Sequence, residues 1–387
     1  MEAMRANGFG GTIHLIGAEA APPYERPPLS KEMLMESGVD CALMHPGNFY
    51  ADKDITLHLG VTATGIDRET RVVTNSDGTR LSYDRLLLCG GGRVRRLDIP
   101  GAALANIHTL RTIDDSRAIE ALLKPGNSIV VVGGGFIGLE VASAARSRGC
   151  AVTVVEAADR LMGRALPPEI GDAFANLHRT HGVNIRLNTG VEHFIGETEI
   201  REVVTTNGDR LPANAVIVGI GVDPDTALAD ACGLDVNNGV VVDEFCRTSD
   251  PDIYAAGDVT YHFNPLLGRH VRLESWQNAQ NQAIAAAGNM CGKNEIFAEI
   301  PWFWSDQFGV NLQMSGAPDI WDDIAIRGDV AGLDGILFQL NEGNLVGAIS
   351  LNRARDMRFV KRLMTAGKSP PRDALVDEAV AFRDLLK

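Results

Sequence analysis

Three glycines and a glutamate are the residues of this sequence whose types and spacing most clearly predict chemistry. Gly133, Gly135 and Gly138 form a G-x-G-x-x-G pattern directly after the β-branched run Ile129–Val132. A helical pattern rich in Ala follows, and a second apolar run ends at Glu156. The glycines allow a tight turn, close approach of a pyrophosphate and close packing of helix on strand. The helix N-terminus offers N–H groups to phosphates, and the glutamate can accept hydrogen bonds from ribose hydroxyls. The pattern therefore predicts a dinucleotide-binding fold.

The simpler alternative is an ordinary strand–helix–strand turn with incidental glycines. The triplet, the flanking strand, the helix and the distal acid together favour dinucleotide binding over this alternative. Ala157 and Ala158 stand where an enzyme that uses NADP often has a cation, so the sequence favours NAD over NADP.

Length, charge and cysteine spacing limit the classes of protein to consider. With 387 residues the chain is too long for one core, so two or three domains are expected. The net charge of −14 argues against a nucleic-acid partner. No apolar run resembles a membrane span or a signal peptide, so we expect no membrane association. The six cysteines show neither C-x-x-C nor C-x4-C spacing, which predicts no redox dithiol and no metal site and fits a reducing cytoplasm.

The first residues repeat only part of the Ile129–Glu156 pattern. A helix end, a short strand over Thr12–Ile16 and an acid at Glu19 correspond to its second half. A strand with its own glycine fingerprint does not precede them in this sequence. We expect either a chain that begins late or a nucleotide site that has been lost.

Two loops further along could lie against a ligand. The proline-rich stretch Pro22–Lys31 is stiff, so Arg26 and Lys31 are held in place and suit a phosphate or a flavin edge. The alternative is a rigid surface connector with two solvated cations. Leu86–Leu88 predicts a buried strand, and the Cys89–Gly92 loop after it allows the backbone to approach a ligand.

A set of motifs spread along the sequence is typical of one family. The sequence resembles the FAD-dependent ferredoxin reductases that take electrons from NADH and serve bacterial ring-hydroxylating dioxygenases and some cytochromes P450. The resemblance covers essentially the whole chain. It rests on Tyr24–Lys31, Leu86–Gly91, His108–Arg111, the central fingerprint, Tyr254–Asp258, Glu274–Gln280 and Trp302–Gln307.

The resemblance implies one FAD site and one NAD site. The residues that it implies for FAD are Glu19, Arg26, Pro27, Lys31, Val61, Cys89, Gly90, Gly91, Arg111, Gly257, Asp258, Glu274, Trp276 and Trp304. The residues that it implies for NAD are Gly133, Gly135, Phe136, Ile137, Gly138, Glu140, Glu156, Gly219, Ile220 and Gly221.

Some of these roles have a plainer alternative. Asp258 follows a predicted strand and suits ribityl hydroxyls, although a Gly-Asp pair after a strand is usually just a turn. Glu140 resembles the family's acidic residue near the nicotinamide, or is a glutamate on a helix surface. Trp276 and Trp304 resemble aromatic walls around the flavin, or are core or interface tryptophans.

Two departures from the family pattern stand out. Cys89-Gly90-Gly91 replaces the usual Ala-Thr-Gly, which is a mild change because glycine still allows close approach. The family's first strand and first fingerprint, about 20 residues, are absent from the sequence. Because the later FAD motifs are all present, we interpret this as a truncated or misassigned N-terminus. The alternative is an NAD-binding regulatory or interaction module that no longer holds flavin.

The fold class implied is α/β, with two Rossmann-like three-layer domains and a small α+β domain. We predict an FAD domain over 1–104 and 226–302, an NAD domain over 105–225 and a C-terminal domain over 303–387. For the last we predict strands near Asn311–Met314, Ile324–Arg327, Gly335–Leu340 and Leu345–Ile349, and helices over Arg353–Thr365 and Arg372–Leu386.

The function implied is that of a ferredoxin–NAD(+) reductase, passing electrons from NADH through FAD to a [2Fe–2S] ferredoxin, as a monomer or homodimer. No acid–base pair or dithiol is needed, since the flavin carries the chemistry. Arg355, Arg358 and Arg362 recur at helical spacing and suit an acidic ferredoxin, as do Arg93, Arg95 and Arg96; solvated surface cations are the alternative. A disulfide reductase of the same superfamily is a third hypothesis, which the missing cysteine pair disfavours.

Overall fold

The computed structural model of the chain describes residues 1–316 and 320–386. A short 3-10 turn covers Pro27–Ser30. The α-helices in the described residues are α1 (Glu2–Ala6), α2 (Glu32–Met35), α3 (Phe49–Asp52), α4 (Ile113–Glu120), α5 (Phe136–Ser147), α6 (Pro168–Thr180), α7 (Ala227–Ala231), α8 (Trp276–Met290), α9 (Ala354–Thr365), α10 (Arg372–Val376) and α11 (Phe382–Leu385).

The β-strands are short and numerous. They are β1 (Ile13–Gly17), β2 (Ile55–Leu59), β3 (Ala63–Asp67), β4 (Val72–Asn75), β5 (Arg80–Ser82), β6 (Leu86–Leu88), β7 (Gly92–Val94), β8 (Ile107–His108), β9 (Ser128–Val132), β10 (Ala151–Val155), β11 (Asn184–Arg186), β12 (Val191–Gly196), β13 (Ile200–Thr205), β14 (Arg210–Pro212), β15 (Ala215–Val218), β16 (Val222–Pro224), β17 (Val236–Asn237), β18 (Gly239–Val242), β19 (Ile253–Ala255), β20 (Thr260–Asn264), β21 (Arg269–Val271), β22 (Trp302–Gln307), β23 (Val310–Gly316), β24 (Asp323–Asp329), β25 (Asp334–Asn341) and β26 (Asn344–Leu351).

The chain divides into two compact units. Unit 1 contains Met1–Glu25, Ala42–Arg93 and Asp223–Glu299, and unit 2 contains Arg26–Cys41, Val94–Val222 and Ile300–Lys387. Positions 317–319 and 387, which belong to the predicted C-terminal domain, lie outside the described residues. The division into FAD, NAD and C-terminal domains stays a prediction.

A parallel sheet in the order β11-β10-β9-β15-β8 lies in unit 2. Its central strand β9 is buried along Ile129–Val132, and the packed helices contribute the buried side chains of Leu139 and Phe174. A continuous run of β-branched residues is typical of a parallel strand that is covered on both faces. The pattern of the sequence therefore fits the sheet that forms.

An antiparallel sheet in the order β22-β23-β26-β25-β24 forms the rest of the C-terminal part of unit 2. The four strands and the helix over Arg353–Thr365 that the sequence predicts are confirmed within one or two residues, and β22 is an additional strand. The single helix predicted over Arg372–Leu386 is wrong, because two short helices occur there. The buried guanidinium of Arg327 donates hydrogen bonds to the carbonyl oxygens of Leu375, Glu378 and Val380. These bonds keep the segment between α10 and α11 out of a helical conformation.

Unit 1 contains two separate parallel pairs of strands, β1 with β2 and β6 with β19. A mixed sheet β17-β18-β20-β21 and an antiparallel sheet β3-β4-β5 complete it. A hairpin turn over Asn75–Gly78 connects β4 and β5, and Gly78 has a φ of +83°. Only glycine reaches such a φ without strain.

Candidate functional site

The loop between β9 and α5 is built around two glycines that no other residue could replace. A Cβ on Gly133 would lie 2.5 Å from the carbonyl oxygen of Gly219, and a Cβ on Gly138 would lie 2.2 Å from the carbonyl oxygen of Gly133. Gly133 also has a φ of +105°. Both positions therefore need glycine for the fold itself, whatever they bind.

Gly135 behaves differently from its two neighbours in the fingerprint. A Cβ there would meet no atom within 4 Å among the described residues. Gly135 is the N-cap of α5, so the N–H groups of the first turn, beginning at Phe136 and Ile137, face the same open space. Free N–H groups at a helix N-terminus are an anion site. The space and the donors fit the pyrophosphate of a dinucleotide.

The carboxylate of Glu156 is held in a fixed orientation at the end of β10. It accepts hydrogen bonds from the backbone N–H of Gly134, at 2.6 Å, and from the backbone N–H of Ala158, at 2.8 Å. A carboxylate has about four lone-pair sites, so two N–H donors leave capacity for ribose hydroxyls. The arrangement suits the acceptor that the sequence predicts for NAD.

The Gly219–Gly221 loop lies against the fingerprint within unit 2. The N–H of Gly219 donates to the carbonyl of Val132 at 2.8 Å, and Gly221 has a φ of +104°. Ile220, between them, is only partly buried. The structure thus brings the three predicted NAD residues of this loop to the same end of the parallel sheet as Gly133 and Glu156.

Glu140 is buried, with 2% of its side chain exposed, and is not on a helix surface. Lys31 forms an ion pair with it, with 2.9 Å between Nζ and Oε2. Ser30 donates to the same oxygen, and Ser305 donates to Oε1 at 2.6 Å. The Lys31 ammonium also lies 5.9 Å from the ring centroid of Trp304, within range of a cation–π interaction. A buried carboxylate with three donors is paired and satisfied, as burial of a charge requires.

One residue predicted for FAD, Lys31, is therefore bonded to a residue predicted for NAD, and a second, Trp304, contacts Lys31. Inside unit 2, Lys31 pairs with Glu140, and the Trp304 ring lies next to the Lys31 ammonium. Arg26 and Pro27 belong to the same segment as Lys31, and the Arg26 guanidinium donates to the carbonyl of Arg111 at 2.5 Å.

In unit 1, the predicted FAD residues follow the carboxyl ends of parallel strands. Glu19 comes after β1 and Val61 after β2; the Val61 N–H donates to the carbonyl of Gly17, and the Gly60 N–H donates to the carbonyl of Glu19. The Tyr24 hydroxyl donates to the Glu19 carboxylate. The carboxyl edge of a parallel sheet is where such folds bind their ligands.

The second parallel pair of unit 1 carries the other predicted residues. The loop of Cys89, Gly90 and Gly91 follows β6, and the Gly91 carbonyl accepts from the N–H of Asp225 at 2.9 Å. Gly257 and Asp258 follow β19, and Gly257 has a φ of +83°. These loops have the glycine conformations and small side chains that allow a planar ring system to approach the backbone.

One polar residue in α8, Gln282, has a structural role in unit 1. The side-chain oxygen of Gln282 accepts from the Gly257 N–H at 2.8 Å and from the Thr260 hydroxyl at 3.1 Å, so the helix orders the turn before Asp258. Trp276 donates from its indole nitrogen to Glu25 within unit 1. Glu274 is exposed and pairs with its neighbour Arg272.

Sequence reasoning missed the polar residues that support the site. Ser30, Ser305 and Gln282 donate to or accept from predicted residues, but each looks like an ordinary helix or strand residue in sequence. Ser30 lies in the motif Tyr24–Lys31 and Ser305 in the motif Trp302–Gln307, whereas Gln282 follows the motif Glu274–Gln280 by two residues. Their position within or next to a motif of the family was the one available signal, because the sequence does not show which polar side chains are buried.

The described residues therefore fit both dinucleotides. The glycine loop and Glu156 of unit 2 suit NAD, and the carboxyl edges of unit 1, with Glu19 and Asp258, suit the ribose and ribityl groups of FAD. A parallel sheet with this loop and this acceptor defines a dinucleotide-binding oxidoreductase of the Rossmann class.

Known proteins agree with this class and narrow it. Residues 1–283 match the pyridine nucleotide-disulphide oxidoreductase family, and residues 302–386 match the reductase C-terminal family. The chain is 44% identical over 387 residues to the ferredoxin–NAD(+) reductase component of the anthranilate 1,2-dioxygenase system of Burkholderia cepacia, covering 100% of this chain and 95% of that protein.

Two solved structures share the fold throughout. The ferredoxin reductase for the CYP199A2 system from Rhodopseudomonas palustris has a TM-score of 0.96 at 36% identity, covering 100% of this chain and 96% of that one. The covalent putidaredoxin reductase–putidaredoxin complex gives a TM-score of 0.96 at 36% identity, covering 100% and 94%. The chain belongs to the pyridine nucleotide-disulphide oxidoreductase family and, within it, to the ferredoxin reductases.

The predicted fold class is confirmed by these relatives, and so are the cofactors FAD and NAD(H). Over the described ranges 1–316 and 320–386, no helix combines the length and apolar character that a bilayer crossing requires. The individual cofactor-binding residues stay predictions.

Proposed function

We propose that the protein transfers electrons from NADH through FAD to a [2Fe–2S] ferredoxin that serves an aromatic-ring dioxygenase or a cytochrome P450. The glycine loop carries the proposal, because Gly135 leaves open space in front of the N–H groups that begin α5. The relatives that serve the anthranilate dioxygenase and CYP199A2 systems support the acceptor.

Bound FAD supplies the conversion between a two-electron donor and a one-electron acceptor. The chain's own residues bind and orient. The α5 N-terminus holds the pyrophosphate of NADH, Glu156 accepts from the ribose, and Gly219–Gly221 borders the nicotinamide. Lys31 stays paired with the buried Glu140 beside the nicotinamide. In unit 1, Glu19 and Asp258 would hold FAD by accepting hydrogen bonds from its adenosine and ribityl hydroxyls.

The face of α9 that carries Arg355, Arg358 and Arg362 is the proposed ferredoxin contact. All three side chains are exposed, on a chain whose net charge is −14. A local cationic stripe on an acidic protein steers an acidic partner to one face. We further propose a cytoplasmic location, where single thiols stay reduced, and a monomeric or homodimeric state.

The test uses the full chain incubated with FAD and a [2Fe–2S] ferredoxin from a ring-hydroxylating dioxygenase system. We expect yellow protein whose flavin absorbance is bleached by NADH, followed by ferredoxin reduction, with NADPH as the poor-donor control. Colourless protein that still binds NADH would support the flavin-deficient module instead. Bleached protein that passes its electrons to a disulfide substrate, giving the dithiol, but not to ferredoxin would support the disulfide reductase.

A further inference from the structure

A line of buried hydrogen bonds leads from α6 to Glu140 inside unit 2. The Nε2 atom of His178 lies 2.8 Å from Oε1 of Gln307. The Gln307 amide nitrogen donates to the Ser305 hydroxyl at 3.0 Å, and Ser305 donates to Glu140 at 2.6 Å. His178, Gln307 and Ser305 are each 0% exposed. The ion pair of Glu140 with Lys31 does not require this line, so the line needs its own explanation.

One unpaired atom determines which group donates and which accepts in each hydrogen bond of this line. Nδ1 of His178 is buried and has no hydrogen-bond partner among the described residues. A proton on Nδ1 would be a buried donor without an acceptor, which is unfavourable. The proton of the neutral ring therefore lies on Nε2, where Gln307 can accept it. Burial supports the neutral ring, because it lowers the pKa of His178 to about 4.

The position of the proton on His178 then determines the orientation of the Gln307 amide and of the Ser305 hydroxyl. With its carbonyl oxygen held by His178, the Gln307 amide presents its NH2 group to Ser305. The Ser305 oxygen accepts that bond, and its own proton is left for Glu140. If the amide turned over, the Ser305 proton would have a second acceptor in Gln307, and Glu140 would lose a donor for part of the time.

We propose that His178 is a positioning residue that keeps the Ser305 hydroxyl donating its hydrogen bond to Glu140. The carboxylate and its partner Lys31 are thereby held in one orientation for the nicotinamide. This inference rests on the proposed function, which places Glu140 beside the nicotinamide. His181, on the next turn of the chain, is the only other titratable group that acts on the His178 ring in the described residues.

The variants separate positioning from packing. His178→Phe keeps a ring against Phe308 but has no donor, and we expect flavin reduction by NADH to slow about tenfold, the value of one hydrogen bond to a charged group. NAD⁺ affinity should stay within about twofold, since the pyrophosphate and ribose contacts are untouched. His178→Gln places an amide donor near the position of Nε2 and should restore most of the rate. Gln307→Met, which is close in volume, breaks the next bond and should match His178→Phe.

His181→Phe is the matched control. His181 stacks on Phe308 with 4.0 Å between ring centroids but has no bond to Gln307, so its replacement should leave the rate unchanged. A folded, flavin-loaded His178→Phe or Gln307→Met that reduces at the rate of the unaltered protein would overturn the proposal. So would a His178→Gln variant as slow as His178→Phe.

A spectroscopic measurement tests the direction without any turnover. Nitrogen NMR of histidine-labelled full-length protein should show His178 neutral, with its proton on Nε2, between pH 6 and 8. A proton on Nδ1 would contradict the proposed direction. This result is independent of the proposed function, whose own failure would appear as unaltered protein whose flavin NADH does not bleach.

Discussion

At the scale of single residues, Gly135 and Gly138 lie three positions apart and serve different purposes. Gly138→Ala forces a Cβ against a backbone carbonyl, so we expect it to lower the free energy of unfolding by about 1–3 kcal/mol. Gly135→Ala meets open space, and Gly135 has a φ of −82° that alanine accepts, so stability should change by less than about 0.5 kcal/mol. Its NADH affinity should nevertheless fall by about tenfold or more, because the methyl group occupies the space of the pyrophosphate.

Chemical unfolding and NADH titration of both variants check this pair. Each glycine is the other's control, because one substitution should affect folding and the other binding. If Gly135→Ala bound NADH as tightly as the unaltered protein, the open space would not be the phosphate site.

The carboxylate of Glu156 sets the choice of cofactor. Glu156→Ala removes the ribose acceptor together with the bonds to the N–H groups of Gly134 and Ala158, so we expect NADH affinity to fall about tenfold or more. NADPH affinity should change much less, because its 2′-phosphate gains from the loss of a negative charge. Parallel titrations with both nucleotides measure the ratio. An unchanged ratio would place the ribose elsewhere.

Residues of the glycine fingerprint could be predicted because their requirements are local. Gly133, Gly138 and Glu156 fall within one strand–helix–strand unit, whose spacing is fixed by the geometry of its elements. The partners of Glu140 could not be predicted in the same way. Lys31 and Ser305 come from segments on either side of it, more than a hundred residues away in sequence, so only the folded chain shows that the carboxylate is buried and paired.

At the scale of elements, one arginine shapes the C-terminal helices. Arg327 extends from β24 with its guanidinium 4.4 Å from the ring centroid of Phe382. It donates to the carbonyl oxygens of Leu375, in the last turn of α10, and of Glu378 and Val380, between α10 and α11. Arg327→Leu leaves those oxygens without their donor, so we expect unit 2 to lose about 2–4 kcal/mol of stability. Hydrogen exchange should show the loss of protection over 372–386 first.

Arg372 of α10 provides a comparison, because its partner Asp323 also lies in β24. It forms a half-exposed ion pair with Asp323 at 3.0 Å and donates one exposed hydrogen bond to the carbonyl of Ile324. Because exposed pairs contribute little, Arg372→Leu should change stability by less than about 1 kcal/mol. Equal effects of the two substitutions would show that the carbonyl contacts of Arg327 do not hold the segment.

The two C-terminal segments also show where a sequence pattern can predict a helix and where it cannot. The helix over Ala354–Thr365 has a regular apolar stripe, with Met357, Val360 and Leu363 buried, and periodicity alone predicts it. The segment after Pro371 has helix-forming residues throughout, but backbone groups there pair with a side chain from a distant strand. Local propensity cannot predict that competition.

At the scale of the whole molecule, charge should govern partner encounter. Arg358→Glu reverses one charge in the α9 stripe, so we expect the association rate with an acidic ferredoxin to fall about tenfold at low salt and the salt dependence to weaken. Arg383→Glu changes the net charge equally but lies on α11, outside the stripe, and should have a smaller effect. Stopped-flow measurements over a range of ionic strength compare them. Equal effects would mean that net charge, not the stripe, controls the encounter.

Two buried histidines, one in each unit, make the stability of the chain depend on pH. Burial lowers the pKa of His178 to about 4, with a hydrogen bond to Gln307 acting in the opposite direction and His181 adding to the decrease. Burial also lowers the pKa of His262 to about 4, and His270 adds to it. Each imidazole therefore stays neutral in the folded chain at pH values where it takes up a proton in the unfolded chain.

The sign follows from that difference in proton uptake. The stability that the two neutral histidines contribute is complete above pH 6.5, decreases as the pH falls towards 4 and does not change further below 4. Each site should remove about 3 kcal/mol across this range. His178→Gln should flatten the decline of unit 2 between pH 6.5 and 5, and His262→Gln that of unit 1. The double variant should show the sum, since the sites lie in different compact units. Urea unfolding at several pH values, followed by hydrogen exchange in each unit, measures the free energy of unfolding as a function of pH. Parallel pH curves for the variants and the unaltered chain would show that other groups cause the acid sensitivity.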